Sequence, residues 1–135
     1  MQVERTDVGD QRSEIGKIKY MFTNLEVYQR SQKLYPEVVK FARLFPNDAR
    51  HLKDQLCRSA NSIHTNIAEG YGRSAAEFKM YLTRSLGSCN EARSHIMDAL
   101  NAGFCNKESA QSLLQEYEIV SKQLYRLRER WKTEV

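Results

Sequence analysis

Two prolines and six glycines among 135 residues are too few for an all-β chain, which needs a turn about every 8–12 residues. No apolar run approaches the ~20 residues of a membrane helix, and no signal-peptide apolar segment precedes a cleavage site. A cytoplasmic protein is expected. The three cysteines, Cys57, Cys89 and Cys105, are odd in number and form no Cys-x-x-Cys pair. They read as reduced thiols packed as small hydrophobes. Histidine is as scarce: His51, His64 and His95 include no His-x-x-x-His pair that would put two imidazoles on one helical face. Cys57 and His64 share a face two turns apart, roughly 10 Å along the axis, too far for one metal to bridge. The Glu-x-x-His motif of di-iron bundles is missing, and no serine sits in a Gly-x-Ser-x-Gly elbow. The expectation is a protein that is not an enzyme, with no catalytic residue, metal or cofactor.

The rest of the composition points to helices. Hydrophobic residues make up 41% and charged residues 28%, a balance that excludes disorder. The length suits one domain, burying about two-thirds of the unfolded chain's surface. Residues 1–20 carry four basic and four acidic groups, contain Gly9 and Gly16, and show no apolar period. The division expected is a loose arm over residues 1–21 and a helical domain over 22–135.

A first helix should start at Asn24 as N-cap and run to about Phe45, before Pro46. Its stripe is Val27, Ser31, Leu34, Val38, Phe41 and Phe45, widened by Tyr28, Tyr35, Val39 and Ala42 to more than ~100° of arc. Pro36 should bend it. A second helix, capped by Asn47 or Asp48, runs to Gly70 along Leu52, Leu56, Ala60, Ile63 and Ile67, with Gly70 and Gly72 supplying the left-handed end. Ser74-Ala75-Ala76-Glu77 fits a capping box. It opens a third helix whose inner face is Phe78, Leu82, Ser85, Cys89, Ala92, Ile96 and Ala99, stopping at Gly103. Asn106 caps a fourth, with Ala110, Leu113, Tyr117, Val120, Leu124, Leu127 and Trp131 in an approximate heptad. Four such helices with short connections make an all-α, left-handed, antiparallel up-down-up-down four-helix bundle.

Two surface features stand out. Beside the core line of the second helix runs a polar strip, Gln55, Ser59, Ser62, Asn66 and Glu69, flanked by Arg58. Short hydroxyl and amide groups suit a packed seam, within the bundle or between subunits, better than an open face. The broad apolar arc of the first helix likewise asks for more cover than one neighbour supplies, so an oligomer is expected. On the fourth helix Lys122, Arg126 and Arg130 recur every four residues, with Arg128 and Lys132 on another flank. Residues 122–132 hold these five cations against Glu129 alone. They could neutralise phosphates, or be a solvated face in which Glu118 pairs with Lys122 and cations suit the helix C-terminus. The net charge of +4 and pI near 9.0 permit a nucleic-acid partner without demanding one. Gly70-Tyr71-Gly72-Arg73-Ser74 has the look of a phosphate-binding turn, but it follows no strand and reads as a helix-to-helix turn. The Ala68-x-x-x-Gly72 spacing fits a helix-turn-helix template only crudely, since the flanking helices are too long.

These residues also resemble a known family. Phe22-Thr23-Asn24-Leu25-Glu26-Val27-Tyr28 is similar to its opening signature. Leu56-Cys57-Arg58-Ser59-Ala60-Asn61-Ser62-Ile63, then Asn66-Ile67-Ala68-Glu69-Gly70-Tyr71-Gly72-Arg73, resembles its central block. Glu77-Phe78 and Leu86-Gly87-Ser88-Cys89-Asn90-Glu91 are similar to the next landmarks. The family is that of the 23S rRNA intervening-sequence proteins, and the resemblance covers about residues 22–131. It implies an antiparallel four-helix bundle assembled as a homopentameric ring, with no enzymatic activity. Related accessory proteins of diversity-generating retroelements form basic pentameric barrels that bind nucleic acid and a reverse transcriptase. The resemblance therefore implies a scaffold for structured RNA or DNA. The alternative is a protein-interaction module or accessory subunit, for example for a reverse transcriptase.

Overall fold

The computed structural model describes residues 21–132. The arm expected over 1–21 lies outside the described residues except for Met21. Among the described residues there are four α-helices and no strand: α1 Glu26–Arg43, α2 Arg50–Gly70, α3 Ala75–Asn101 and α4 Lys107–Arg130. Short 3-10 turns, Phe22–Asn24 and Asn47–Ala49, lead into α1 and α2. None of the helices is long and apolar enough to cross a membrane.

The helix starts divide into two kinds. α3 opens with the expected capping box: Ser74 Oγ accepts from the Glu77 amide at 3.2 Å, and the Ser74 amide donates to Glu77 Oε1 at 3.3 Å. The Ser74 hydroxyl also donates to Glu77 Oε1 at 3.0 Å, and this bond together with that from the Ser74 amide holds the Glu77 carboxyl below its ordinary range. α4 opens with Asn106 Oδ1 accepting from the Ser109 amide at 2.8 Å. Asn24, Asn47 and Asp48 are not caps. They sit inside the 3-10 turns, and Leu25 and Ala49 take the N-cap positions with no side-chain bond. Phe22 holds the entering chain in its turn by edge contacts with Tyr28 and Tyr71, 5.0 and 6.4 Å between centroids. α1 ends at Arg43, two residues short of Phe45, yet runs unbroken through Pro36. Pro36 and Gln32 are both exposed, so the carbonyl left unbonded at Gln32 faces water.

Val38, Leu56, Ile63, Ile67, Phe78, Leu82, Ile96, Val120 and Leu124 are fully buried, each contributing about 1.5–3 kcal/mol of transfer energy; Tyr117 is buried with them, its hydroxyl without a hydrogen-bond partner among the described residues. The small middle of α3 sets the closest approach. Ser85, Cys89 and Ala92 are fully buried, and α2–α3 is the most extensive helix contact, while α1–α4 is the thinnest. Ser85 Oγ donates to the Ile63 carbonyl at 2.7 Å and Cys89 Sγ to the Tyr117 carbonyl at 3.4 Å. Burial pushes the Cys89 thiol up to about 12, so it packs as a neutral group.

Pairings between helices run in descending register. On α1 and α4, Glu26 Oε2 accepts from Gln123 Nε2 at 3.0 Å, and Arg30 Nη1 donates to Glu116 Oε1 at 2.9 Å. On α3 and α4, Thr83 faces Arg128 and Cys89 faces Tyr117. At one end of the bundle, edge-on rings of Phe22, Tyr28, Tyr71, Phe78 and Trp131 tie the entry to α1 to the exit from α4. These contacts hold the rotation of each helix about its axis.

Candidate nucleic-acid interface and the polar seam

Burial of Ala110, Leu113, Tyr117, Val120 and Leu124 aims α4 and so decides where its cations point. Lys122, Arg126, Arg130 and Lys132 are exposed, and Arg128 is half-buried. Lys122 Nζ lies 3.4 Å from Glu118, the i,i+4 pair expected on a solvated face. Arg126 and Arg130, with Leu25, Glu26, Val27, Gln123 and Leu127, line a recess of about 280 Å³ against α1. Among the described residues neither has a carboxylate within salt-bridge distance. Arg128 turns the other way. Its Nη1 donates to Thr83 Oγ1 of α3 at 3.2 Å, its Nε lies 3.4 Å from Glu129, and its guanidinium carbon stands 5.3 Å from the Tyr125 ring centroid. The five cations thus divide between two flanks of one helix.

The strip on α2 divides as well. Asn66 Nδ2 donates to both the carbonyl and the hydroxyl of Ser62, each at 2.8 Å. Ser62 Oγ then accepts from Ser88 Oγ of α3 at 2.9 Å. Ser59, buried, donates to the Leu56 carbonyl at 2.9 Å. Gln55, Arg58, Ser59 and Ser62 line a recess of about 290 Å³ with Glu91 of α3. Glu69 is exposed, and its carbonyl accepts from Arg73 Nε at 2.9 Å. Ser62 thus links α2 to α3, and Gln55, Arg58 and Ser59 beside it open into a polar recess.

The turn that follows departs from its expected geometry. Gly70 is helical and Tyr71 is extended; only Gly72, at φ +88°, takes the left-handed conformation. Gly70 is glycine for another reason: a Cβ there would sit 2.4 Å from the Tyr81 Cβ. That close approach places the Tyr81 ring between Arg73 and Arg84, whose guanidinium carbons stand 5.0 and 4.9 Å from its centroid.

The family model of the 23S rRNA-intervening sequence proteins matches residues 23–126, which span α1, α2, α3 and most of α4. The chain belongs to this family. A crystal structure of a protein of unknown function from the S23 ribosomal protein family of Bacteroides thetaiotaomicron is similar, with a TM-score of 0.71 and 22% identity. The match covers 76% of this chain and 98% of that one, and likeness at that identity concerns the fold. No curated protein matches the chain significantly.

Within this family member, several residues not expected from the sequence as surface partners belong to the two surfaces. Ser88 and Glu91 follow Ser85 of the expected inner face at three-residue spacing, the complement of the α2 strip. That polar period was available in the sequence. Tyr81, Arg84 and Tyr125 carried no such signal, because each looks like an ordinary exposed or boundary residue until its partner is placed. His64 is 7% exposed, edge-on to Tyr28 and Tyr35 at 5.8 and 6.0 Å, and burial lowers its pKa. Cys57 is half-buried on the same helix, and burial raises its pKa. Among the described residues no group of three or more His, Cys, Asp or Glu could hold a metal.

Proposed function

We propose that this chain is a non-catalytic scaffold: an antiparallel up-down-up-down four-helix bundle, assembled as a homopentameric ring, that binds structured RNA or DNA through basic helix surfaces. The descending pairings between α1 and α4 and between α3 and α4 support the antiparallel arrangement. The observation that carries the binding reading is the set of exposed cations at the end of α4. Arg126 and Arg130 are exposed and have no carboxylate partner among the described residues. Repeated around a ring, such positions would concentrate a charge that one subunit carries weakly. Assembly is supported by the thinly packed α1–α4 flank, where Leu44 is 80% exposed beside a recess of about 650 Å³ floored by Phe41, Phe104 and Leu113.

Binding should weaken steeply with added salt and depend little on base sequence. Replacing Lys122, Arg126 and Arg130 together by Glu should abolish a gel shift. Unchanged affinity would overturn the reading. Light scattering should show an oligomer; a monodisperse 15.7 kDa species at micromolar concentration would overturn the assembly. The same recess, where Phe41, Leu44, Phe104 and Leu113 stand among polar residues, favours a second reading, a protein-interaction module or accessory subunit. A complex with a neighbouring protein that survives nuclease treatment would support that reading over nucleic-acid binding.

A further inference from the structure

Tyr125 contributes nothing to the core stripe of α4 and is 52% exposed. A single exposed tyrosine is ordinary. This one is distinguished by what braces it. Arg128 stands over one ring face, 5.3 Å from the centroid. Arg128 is itself held by Thr83 at 3.2 Å and Glu129 at 3.4 Å, and its side chain is only 25% exposed. Thr83 and Glu129 thus hold the guanidinium against a ring that is itself half exposed.

A second arginine–tyrosine unit stands on the other side of α3, where Tyr81 packs beside Gly70 of α2. The Arg73 and Arg84 guanidinium carbons lie 5.0 and 4.9 Å from its ring centroid. Tyr81 is only 8% exposed, so here the arginines and not the ring are offered outward. Lys132 follows the end of α4 at Arg130 and is exposed. The nearby carboxylates are already engaged, Glu129 by Arg128 and Glu77 by the cap at Ser74.

An exposed aromatic ring braced by one arginine, with an exposed lysine beyond it, suits a polyanion that can also present a flat π-system. Paired bases hide their faces in the duplex, whereas unpaired ones stack on aromatic side chains while neighbouring arginines hold the backbone. We propose that the α3–α4 flank is a stacking site for an unpaired nucleobase, with Tyr125 as the platform and Arg128 and Lys132 holding adjoining phosphates. This inference rests on the nucleic-acid reading above and narrows its ligand to single-stranded segments.

The test is fluorescence anisotropy on the full chain with three probes: an oligouridine of about 16 nucleotides, the matching oligothymidine, and an RNA duplex of that length. Tyr125→Ala should weaken oligouridine binding roughly tenfold and leave duplex binding within about twofold. Tyr125→Phe should bind like wild type, because stacking needs the ring and not the hydroxyl. Equal losses for oligouridine and oligothymidine assign the site to single strands of either sugar, and a loss confined to oligouridine assigns it to RNA. If Tyr125→Ala leaves single-strand binding unchanged, or weakens duplex and single strand alike, the stacking site is overturned and salt-dependent phosphate binding stands. If the wild-type chain binds none of the probes at low salt, the nucleic-acid reading fails and the stacking site fails with it.

Discussion

Alanine at position 70 sets two effects of opposite sign against each other. Glycine inside a helix costs about 0.5–1 kcal/mol relative to alanine, so Gly70→Ala should stabilise α2 if the backbone were the whole account. The new Cβ, however, would lie 2.4 Å from Tyr81 Cβ, 2.7 Å from its Cγ and 3.0 Å from its Cδ2, where carbon pairs rest at about 3.5–4.0 Å. No rotamer of Tyr81 moves its own Cβ, so relief requires separating the α2 and α3 backbones. Those two helices form the closest packing in the bundle. Overpacking of this kind costs about 1–3 kcal/mol or more, which outweighs the propensity gain by about 1–2 kcal/mol. For a chain of this size that lowers Tm by about 4–8 °C. Thermal unfolding followed by far-UV circular dichroism, at one fixed protein concentration because assembly would shift Tm, measures it. In a Tyr81→Gly background, itself destabilised by loss of the nearly buried ring, Gly70→Ala should cost less than it does in wild type. A Gly70→Ala variant that melts at or above the wild-type temperature would refute the reasoning, since propensity alone would then govern the position.

Four further outcomes follow from the same geometry. The buried His64 imidazole resists protonation in the folded chain, so its contribution to stability is intact above the ordinary histidine range near 6.5 and lost as pH falls below it. Wild type should lose up to about 1.4 kcal/mol per pH unit more than His64→Phe between about pH 7 and pH 5, and parallel pH–Tm curves would refute this. Native protein titrated with a thiol reagent should react at Cys57 and Cys105, which are half-buried, and not at Cys89, whose burial pushes its thiol up to about 12. Modification of all three at equal rates would contradict the packing of α3. Ser74→Ala removes the α3 cap and should cost about 1 kcal/mol in denaturant unfolding; no change would mean the cap is redundant. Asn66→Leu or Glu69→Leu should alter assembly or thermal stability, and a strip that is only a solvated boundary would leave both unchanged.

The parts of this molecule legible in its sequence are those whose physics lies within one helical turn. Ser74 and Glu77 are three residues apart and satisfy one another wherever the rest of the chain goes. Asn106 and Ser109 do the same. The apolar period of α4 likewise names its buried face, because 3.6 residues per turn places Tyr117, Val120 and Leu124 together. Asn24 misled because its local cap preference competes with Phe22, whose contacts with Tyr28 and Tyr71 become available only when the chain packs. Gly70 misled for a similar reason: glycine at a helix end ordinarily serves the backbone, and here it serves the neighbouring helix.

The candidate surfaces follow the same division. That α2 carries a polar strip and α4 a run of cations can be read from spacing alone. That Ser62 meets Ser88, that Arg128 turns to Thr83 while Arg126 and Arg130 turn toward α1, and that Tyr125 stays half exposed depend on how far apart the helices lie and how each is rotated. Side-chain period is a property of one rod, whereas distance and rotation are set by all four rods sharing a single core. Arg126 and Arg128, of one chemical type and two positions apart, therefore end against different neighbouring helices.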